Sequence, residues 1–324
     1  MRRLYTASSL VFVSSLLAGC RCEAIDERER ESAVSVSVPR PTEIGPPPLL
    51  DIVSEARRSR GAVFRGPAGE ELDDYGTWVR TVAKSAWSDR LPTRPAPKGF
   101  QGALGDSGSI WVLEEHPRHK RGAGLVALRP STGRPILIEA PHTFFDSDTL
   151  ELALRAFDEL DARALLVNTM HRGGDGSQEA RRRLALSGES EFDVAHAKDT
   201  FFARAHVVLL QLDPGLATVQ IHGFSNDTAP GVDVVVSSAR TNGDVRRLAK
   251  AIGESTGITK IRTYPDQIDV LGATTNVQAI ACREARTPFY SVELSRSVRS
   301  RMKEDPEIAR RLVQAFGVVA EKDR

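Results

Sequence analysis

Short apolar runs alternate with helical stretches along most of this chain, and this alternation constrains the fold more than any other feature. Runs such as VVLLQL and VDVVV are almost wholly apolar, as is typical of strands covered on both faces. Predicted strands lie at 109–113, 124–128, 135–139, 164–168, 207–212, 219–222, 232–237, 259–262 and 289–294, and predicted helices at 149–161, 244–254 and 306–316. The pattern predicts an α/β fold, a three-layer sandwich with a mixed, largely parallel sheet.

Composition and missing motifs exclude several classes of protein. The 324 residues include 44 Lys+Arg and 43 Asp+Glu, and a net charge of +1 argues against a nucleic-acid partner. No internal stretch of 18 apolar residues is present, which excludes a polytopic membrane protein. No GxGxxG or P-loop follows a predicted strand, so we expect no nucleotide partner either.

The first 19 residues have the pattern of a secretory signal, with two arginines before a short apolar segment. The sequence Leu-Ala-Gly-Cys that ends at Cys20 resembles the bacterial lipobox, in which the cysteine is diacylated and the chain is cut just before it. This resemblance implies lipidation at Cys20 and a membrane anchor made by the N-terminal lipid. An ordinary signal peptide with a chance cysteine is the alternative. Arg21, and not Asp, follows the cysteine, which favours the outer membrane of a bacterial envelope.

Composition also divides the rest of the chain. Residues 20–48 are rich in charge, serine and proline, as expected of an extended linker. Residues 49–107 are predicted to form an N-terminal helical cap, with amphipathic helices at 50–58 and 71–86. The predicted α/β domain then occupies 108–324.

Side chains suited to metal binding or proton transfer follow three of the predicted strands. His142 comes after strand 135–139 and precedes Asp146, His222 ends strand 219–222, and Glu293 lies at the end of strand 289–294. Ligands bind at the carboxyl ends of strands in open α/β sheets, so these positions form one candidate site. Two histidines and a carboxylate make a three-ligand zinc site with an open position for water, and a second carboxylate nearby can take a proton from that water.

The order of these residues is similar to that of the zinc carboxypeptidase-like fold, which includes metallocarboxypeptidases, N-formylglutamate amidohydrolases and poly-γ-glutamate hydrolases. The segment IHGFS at 221–225 resembles the carboxypeptidase strand that carries the second histidine. YSVELSR at 290–296 is similar to the Phe-x-x-Glu-Leu-Arg segment with the catalytic glutamate, which follows about seventy residues later; here Glu293 follows His222 by 71. The resemblance covers roughly residues 135–299. It implies one zinc ion held by His142, Asp146 and His222, with Glu293 as general base.

The first metal motif departs from the carboxypeptidase pattern His-x-x-Glu, because Phe145 stands three residues after His142. The third ligand must then be another carboxylate. Asp146 is preferred over Asp148, since Asp148 and Glu151 have the spacing of a capping box for the helix that follows. Glu151, further along that helix, is the third choice.

Substrate-binding groups are predicted from position. Arg172 follows strand 164–168 and can bind a substrate carboxylate through two parallel hydrogen bonds, although a surface ion pair is an equal alternative. His196 is a candidate to bind substrate or to orient a ligand, and is otherwise a surface residue. His116 and His119 belong to a charged turn and are left out of the site.

These observations predict a lipid-anchored, zinc-dependent hydrolase that acts on a small amide or peptide substrate. The alternative is a non-catalytic envelope lipoprotein that binds a ligand or a partner on a decayed hydrolase fold. Zinc content separates the two hypotheses, because only the first requires the metal.

Overall fold

The computed structural model describes residues 66–88, 90, 92–104, 110–130, 132–172, 192–238 and 243–321. Cys20, the linker and the predicted helix 50–58 lie outside these ranges. Within them, no helix combines the length and the apolar character that crossing a bilayer requires.

Nine strands and seven α-helices form the described part of the chain. The strands are β1 (Phe100–Leu104), β2 (Trp111–Glu115), β3 (Leu125–Leu128), β4 (Arg134–Ala140), β5 (Ala162–Val167), β6 (Ala217–Phe224), β7 (Val234–Ser238), β8 (Ile261–Thr263) and β9 (Phe289–Ser295). The helices are α1 (Gly69–Ala86), α2 (Thr149–Glu159), α3 (Phe201–Leu212), α4 (Gly243–Thr256), α5 (Val277–Ala285), α6 (Arg296–Glu304) and α7 (Pro306–Phe316).

All nine strands belong to one sheet, in the order β1-β2-β3-β5-β4-β6-β9-β7-β8. The central strands β5, β4, β6 and β9 are parallel, as are β7 and β8, whereas β1, β2, β3 and the pair β7–β9 are antiparallel. The predicted mixed sheet is confirmed, and its parallel part forms the centre. The carboxyl ends of β4, β6 and β9 therefore meet at one edge.

Helices cover both faces of the sheet, which confirms the three-layer α/β architecture. Helices α2, α4 and α7 pack on the face that contains Ile138, Ile221 and Val292. Helices α1, α3 and α5 pack on the opposite face, against residues such as Leu137 and Phe289. Because neighbouring residues of a strand point to opposite faces, burial on both sides explains why the strands are apolar throughout.

The predicted strand 207–212 is wrong, because these residues form the second half of α3. The helix begins after Thr200, whose hydroxyl accepts a hydrogen bond from the Ala203 amide at 3.0 Å. A helix buried on most sides has no polar face, so its apolar run has the same appearance as a buried strand. The capping threonine was the available signal for a helix.

The predicted cap range 49–107 contains β1 as well as α1. Strand β1 is an edge strand of the sheet and pairs with β2, with Phe100 opposite Glu115. The Phe100 ring lies 4.9 Å from that of Tyr75 on α1 and 5.1 Å from that of Phe201 on α3. Helix α1 is thus packed into the α/β core, and the sheet begins within this range.

Candidate active site

The strand register places the polar residues of the central sheet side by side. His222 on β6 lies directly opposite Glu293 on β9, and Gln220 lies opposite both Ser291 on β9 and Glu139 on β4. Residues two apart on a strand share a face, so these side chains form one polar patch that ends at the carboxyl edge. The segment between His222 and Glu293 includes the crossover that makes β6 and β9 parallel neighbours.

A tight turn after β4 brings Asp146 back beside His142. The amide of Asp146 donates to the carbonyl of His142 at 2.8 Å, and the Thr149 hydroxyl donates to the carbonyl of Asp146 at 2.7 Å. Asp146 Oδ2 then lies 3.4 Å from His142 Nδ1 and accepts from the Gly223 amide at 2.9 Å. The turn therefore places a carboxylate against the end of β6, next to His222.

His142, Asp146 and His222 converge as the sequence predicts. One ligand atom from each lies within 4.8 Å of the other two, and all three side chains are buried. The two Nδ1 atoms are 3.2 Å apart, and His222 Nδ1 lies 3.8 Å from Asp146 Oδ2. Two imidazole nitrogens and one carboxylate oxygen are a ligand set that zinc commonly uses.

Hydrogen bonds at the Nε2 atoms of His142 and His222 orient the two rings so that their Nδ1 atoms face each other. His142 Nε2 contacts Asp193 Oδ1 at 2.8 Å, and His222 Nε2 contacts Gln220 Oε1 at 2.7 Å. Both contacts are to oxygen acceptors, so each Nε2 donates and each Nδ1 is the atom available to a cation. Two such nitrogens at 3.2 Å, beside a carboxylate, require a positive charge between them, which is the chemistry of a cation site.

A proton supplies that charge when it is on His142. Burial lowers the pKa of His142, but the hydrogen bonds and charges of Asp146 and Asp193 outweigh it and raise the pKa to about 9. Burial and the positive charge of His142 lower the pKa of His222 to about 3. A metal ion held by the two histidines would therefore displace the proton of His142 Nδ1 and leave His222 neutral.

Glu293 faces the same space. A cavity of about 220 Å³ at the sheet edge is lined by the three candidate ligands together with Glu293, Arg172, His196, Gly223, Leu271, Gly272, Ala273, Asn276 and Ser291. Burial, and secondarily the charge of Asp146, raise the pKa of Glu293 to about 8. A carboxyl group that titrates near neutral pH is suited to accept and return a proton.

Both predicted substrate-binding residues line this cavity. Arg172 Nη2 lies 2.8 Å from Asp193 Oδ2, and its guanidinium lies 5.0 Å from the centre of the Phe145 ring. Asp193 thus contacts both Arg172 and the candidate ligand His142. His196 contributes an exposed ring whose Nδ1 is 3.4 Å from the Thr275 hydroxyl.

Asp148 has a different role from the predicted one. It precedes α2 with a φ of 69°, its side chain makes no capping hydrogen bond, and its carboxylate pairs with Lys303 Nζ at 2.8 Å. The left-handed backbone accounts for the missing cap, because a residue that caps a helix with its side chain typically has an extended backbone itself. Asp146, and neither Asp148 nor the exposed Glu151, therefore joins the two histidines.

The glycine after His222 makes room for an arginine. A Cβ at Gly223 would lie 2.6 Å from Cζ of Arg299. Arg299 Nη1 donates to the carbonyl and hydroxyl of Ser147, each at 2.8 Å, and Nη2 donates to the Phe224 carbonyl at 3.2 Å. Arg299 thus ties the turn that carries Asp146 to the end of β6.

Comparisons with known proteins add partial likenesses. No protein-family model and no curated protein sequence matches the chain. Among solved structures, a bacteriophage poly-γ-glutamate hydrolase is 16% identical, with a TM-score of 0.39 over 61% of this chain and 89% of its own. N-formylglutamate amidohydrolase from Ralstonia eutropha is 12% identical (TM-score 0.40, 61% and 97%), and succinylglutamate desuccinylase from Vibrio cholerae is 12% identical (TM-score 0.40, 71% and 68%). At these values the backbones agree only in part.

Proposed function

We propose that this protein is a zinc-dependent hydrolase of amide or peptide bonds. One observation carries the proposal: His142, Asp146 and His222 present three ligand atoms to a common point, and Glu293 lies directly opposite His222 on the neighbouring strand. Three protein ligands and an adjacent carboxylate are the parts that metal-assisted hydrolysis needs.

The two histidines and Asp146 would hold one zinc ion. Bound there, zinc would polarise a substrate carbonyl and lower the pKa of a water molecule. Asp193 accepts the Nε2 proton of His142 in a hydrogen bond, so that Nδ1 stays directed at the proposed zinc site. The burial of these side chains strengthens each of these electrostatic contacts.

Glu293 is proposed as the general base. Its carboxylate would accept the proton of the attacking water and then donate it to the leaving amine. Burial and the charge of Asp146 raise the pKa of Glu293 to about 8. A cation bound nearby would lower this pKa, so that Glu293 would be ionised at neutral pH. Glu293 serves here as a proton carrier and does not join the metal ligands.

Arg172 is proposed to select substrates with a free carboxylate. Its guanidinium borders the cavity and is held from behind by Asp193 and Phe145. A guanidinium in a fixed orientation recognises a carboxylate through two parallel hydrogen bonds. A cavity of about 220 Å³ suits a small group such as an N-acyl amino acid or a γ-glutamyl residue. His196, which also lines the cavity, is proposed as a second contact with substrate.

The site of action is proposed to be the bacterial cell envelope, with the protein attached through lipid on Cys20, in the outer membrane. This part of the proposal rests on the lipobox-like sequence alone. Envelope peptides and amides are then the accessible substrates.

A substrate screen tests the proposed activity. N-acyl amino acids, γ-glutamyl peptides and muropeptides are incubated with the purified protein, with and without a chelator, while bound metal is measured. We expect about one zinc per chain and hydrolysis that the chelator abolishes. Absence of zinc would contradict the proposal, and stoichiometric zinc without hydrolysis of any of these compounds would favour the non-catalytic binding protein.

A further inference from the structure

A buried amide lies directly behind His222. The side chain of Gln220 is fully buried and makes four hydrogen bonds. Its Oε1 accepts from His222 Nε2 at 2.7 Å and also from Asn276 Nδ2. Its Nε2 donates to Glu139 Oε2 at 2.9 Å and to Gln278 Oε1 at 3.3 Å. Each of these four hydrogen bonds is therefore with another polar side chain.

Backbone contacts of its neighbours determine which end of the Gln220 amide faces His222. Asn276 Oδ1 accepts from the backbone amides of Gln278 and Ala279 at the start of α5, so Asn276 has only Nδ2 to offer Gln220. Gln278 Nε2 donates to the Val194 carbonyl at 2.9 Å, so Gln278 offers Oε1. A donor on one side and an acceptor on the other permit one orientation of Gln220.

Glu139 specifies the same orientation. Its other oxygen, Oε1, lies 2.7 Å from Nδ1 of the fully buried His206, whose Nε2 lies 3.5 Å from Cys282 Sγ. Burial lowers the pKa of His206, but the charge of Glu139 outweighs it and raises the pKa to about 10, so His206 is an imidazolium. Glu139 Oε2 accepts from the nitrogen of the Gln220 amide, which leaves the amide oxygen to face His222.

We propose that Gln220 is a positioning residue that holds His222 in the tautomer protonated on Nε2. Gln220 thereby leaves Nδ1 free to bind a metal ion together with His142 and Asp146. Glu139, Asn276 and Gln278 fix the Gln220 amide, and the amide fixes the imidazole. The inference rests on the proposed function only in treating His222 as a metal ligand.

The physical basis is competition between two tautomers. A neutral imidazole carries its proton on either nitrogen, and a proton on Nδ1 would block the atom that faces His142 and Asp146. An oxygen acceptor at Nε2 removes that form from the population. Loss of such an orienting partner typically lowers metal affinity by about 10- to 100-fold.

The test reads the tautomer and the zinc affinity separately. Histidine ¹⁵N chemical shifts are measured on the metal-free full chain, with the His222 signal assigned from a His222→Gln variant, and zinc affinity is measured by competition with a chelating dye. In the wild-type protein we expect His222 to be protonated on Nε2. Gln220→Met removes the acceptor, so we expect a substantial Nδ1-protonated population and zinc affinity about 10- to 100-fold lower.

Two further variants separate positioning from general damage. In Gln220→Glu, a protonated carboxyl donates to Glu139 and accepts from His222, so the tautomer and most of the zinc affinity should be retained. Thr218→Val alters a buried residue on the same face of β6, whose hydroxyl lies 3.7 Å from Cys282 Sγ, and should leave both measurements unchanged.

Three results would overturn the inference. The first is a wild-type His222 that carries its proton on Nδ1. This result is measured on the wild-type protein and does not depend on the folding of any variant. The second is a folded Gln220→Met protein with unchanged tautomer and zinc affinity, and the third is an equal loss of affinity in Thr218→Val. If the wild-type protein binds no zinc, the proposed function fails, while the ¹⁵N shifts still report whether Gln220 sets the tautomer.

Discussion

The Nδ1 atoms of His142 and His222 lie 3.2 Å apart, although the two residues are separated by 80 positions in the sequence. Each imidazole directs its Nε2 to an oxygen acceptor, which is Asp193 for His142 and, two residues away on the same strand, Gln220 for His222. The fold therefore turns both Nδ1 atoms towards the carboxylate of Asp146. This arrangement needs a positive charge at its centre.

Removal of either histidine should abolish zinc binding. Each supplies one of three ligand atoms, so His142→Ala and His222→Ala are both expected to lose stoichiometric metal, measured by elemental analysis after dialysis. His116→Ala and His119→Ala are the controls, because these residues lie in the turn around Pro117–His119, away from the cavity. Zinc loss in the controls instead would show that the site has been misplaced.

The matched variants Asp146→Asn and Asp148→Asn test the third ligand. Asp146→Asn removes the buried carboxylate, and we expect zinc affinity to fall by at least about tenfold. Asp148→Asn should bind zinc normally and should change the free energy of unfolding by less than about 1 kcal/mol, since it loses one partly exposed ion pair with Lys303. Equal zinc affinities in the two variants would exclude Asp146 as a ligand.

The buried pair of His206 and Glu139 predicts a dependence of stability on pH. The folded-state pKa of His206, about 10, is above the ordinary value of 6.5. Its stabilising contribution is therefore complete below pH 6.5 and is lost as the pH rises to 10, by up to about 1.4 kcal/mol per pH unit. Urea unfolding at several pH values measures this, with the double variant His206→Gln/Glu139→Gln as the control that lacks the titration. The same slope in both proteins would contradict the assignment.

Much of the site could be predicted from the sequence because its main residues lie near the carboxyl ends of strands. His142 follows β4, and His222 and Glu293 lie close to the ends of β6 and β9, and parallel strands bring such ends to one edge. Asp193 and Gln220 were not recognised as orienting groups. Asp193 contacts His142 across 51 residues of sequence, and the Gln220 amide, although close to His222 on β6, is oriented by Glu139, Asn276 and Gln278 from other elements. No local sequence pattern encodes these contacts.

The errors in the predicted secondary structure have a similar origin. Helix α3 was predicted as a strand in its second half because burial removes the polar face that distinguishes a helix. Asp148 has the spacing of a capping residue, but its backbone is left-handed. Arg299, from helix α6, fills the space above Gly223 on β6, and a single sequence does not reveal this contact.

Lipidation at Cys20 remains a prediction from the sequence. Cys20→Ser removes the thiol that would receive the diacylglycerol, so we expect an unlipidated, unprocessed precursor. Wild-type protein should incorporate radioactive palmitate and partition into detergent, and the variant should do neither. Labelling of the variant, or no labelling of the wild type, would contradict the lipobox assignment.

The most direct test of the proposed mechanism is the Glu293→Gln variant, assayed for zinc content and turnover together. Because Glu293 is assigned to proton transfer and the metal is assigned to His142, Asp146 and His222, we predict unchanged zinc content. We predict turnover about 10²- to 10⁴-fold lower than that of the wild type on the substrate found in the screen, the usual cost of removing a general base. A Glu293→Gln protein that keeps full, chelator-sensitive activity would contradict the mechanism.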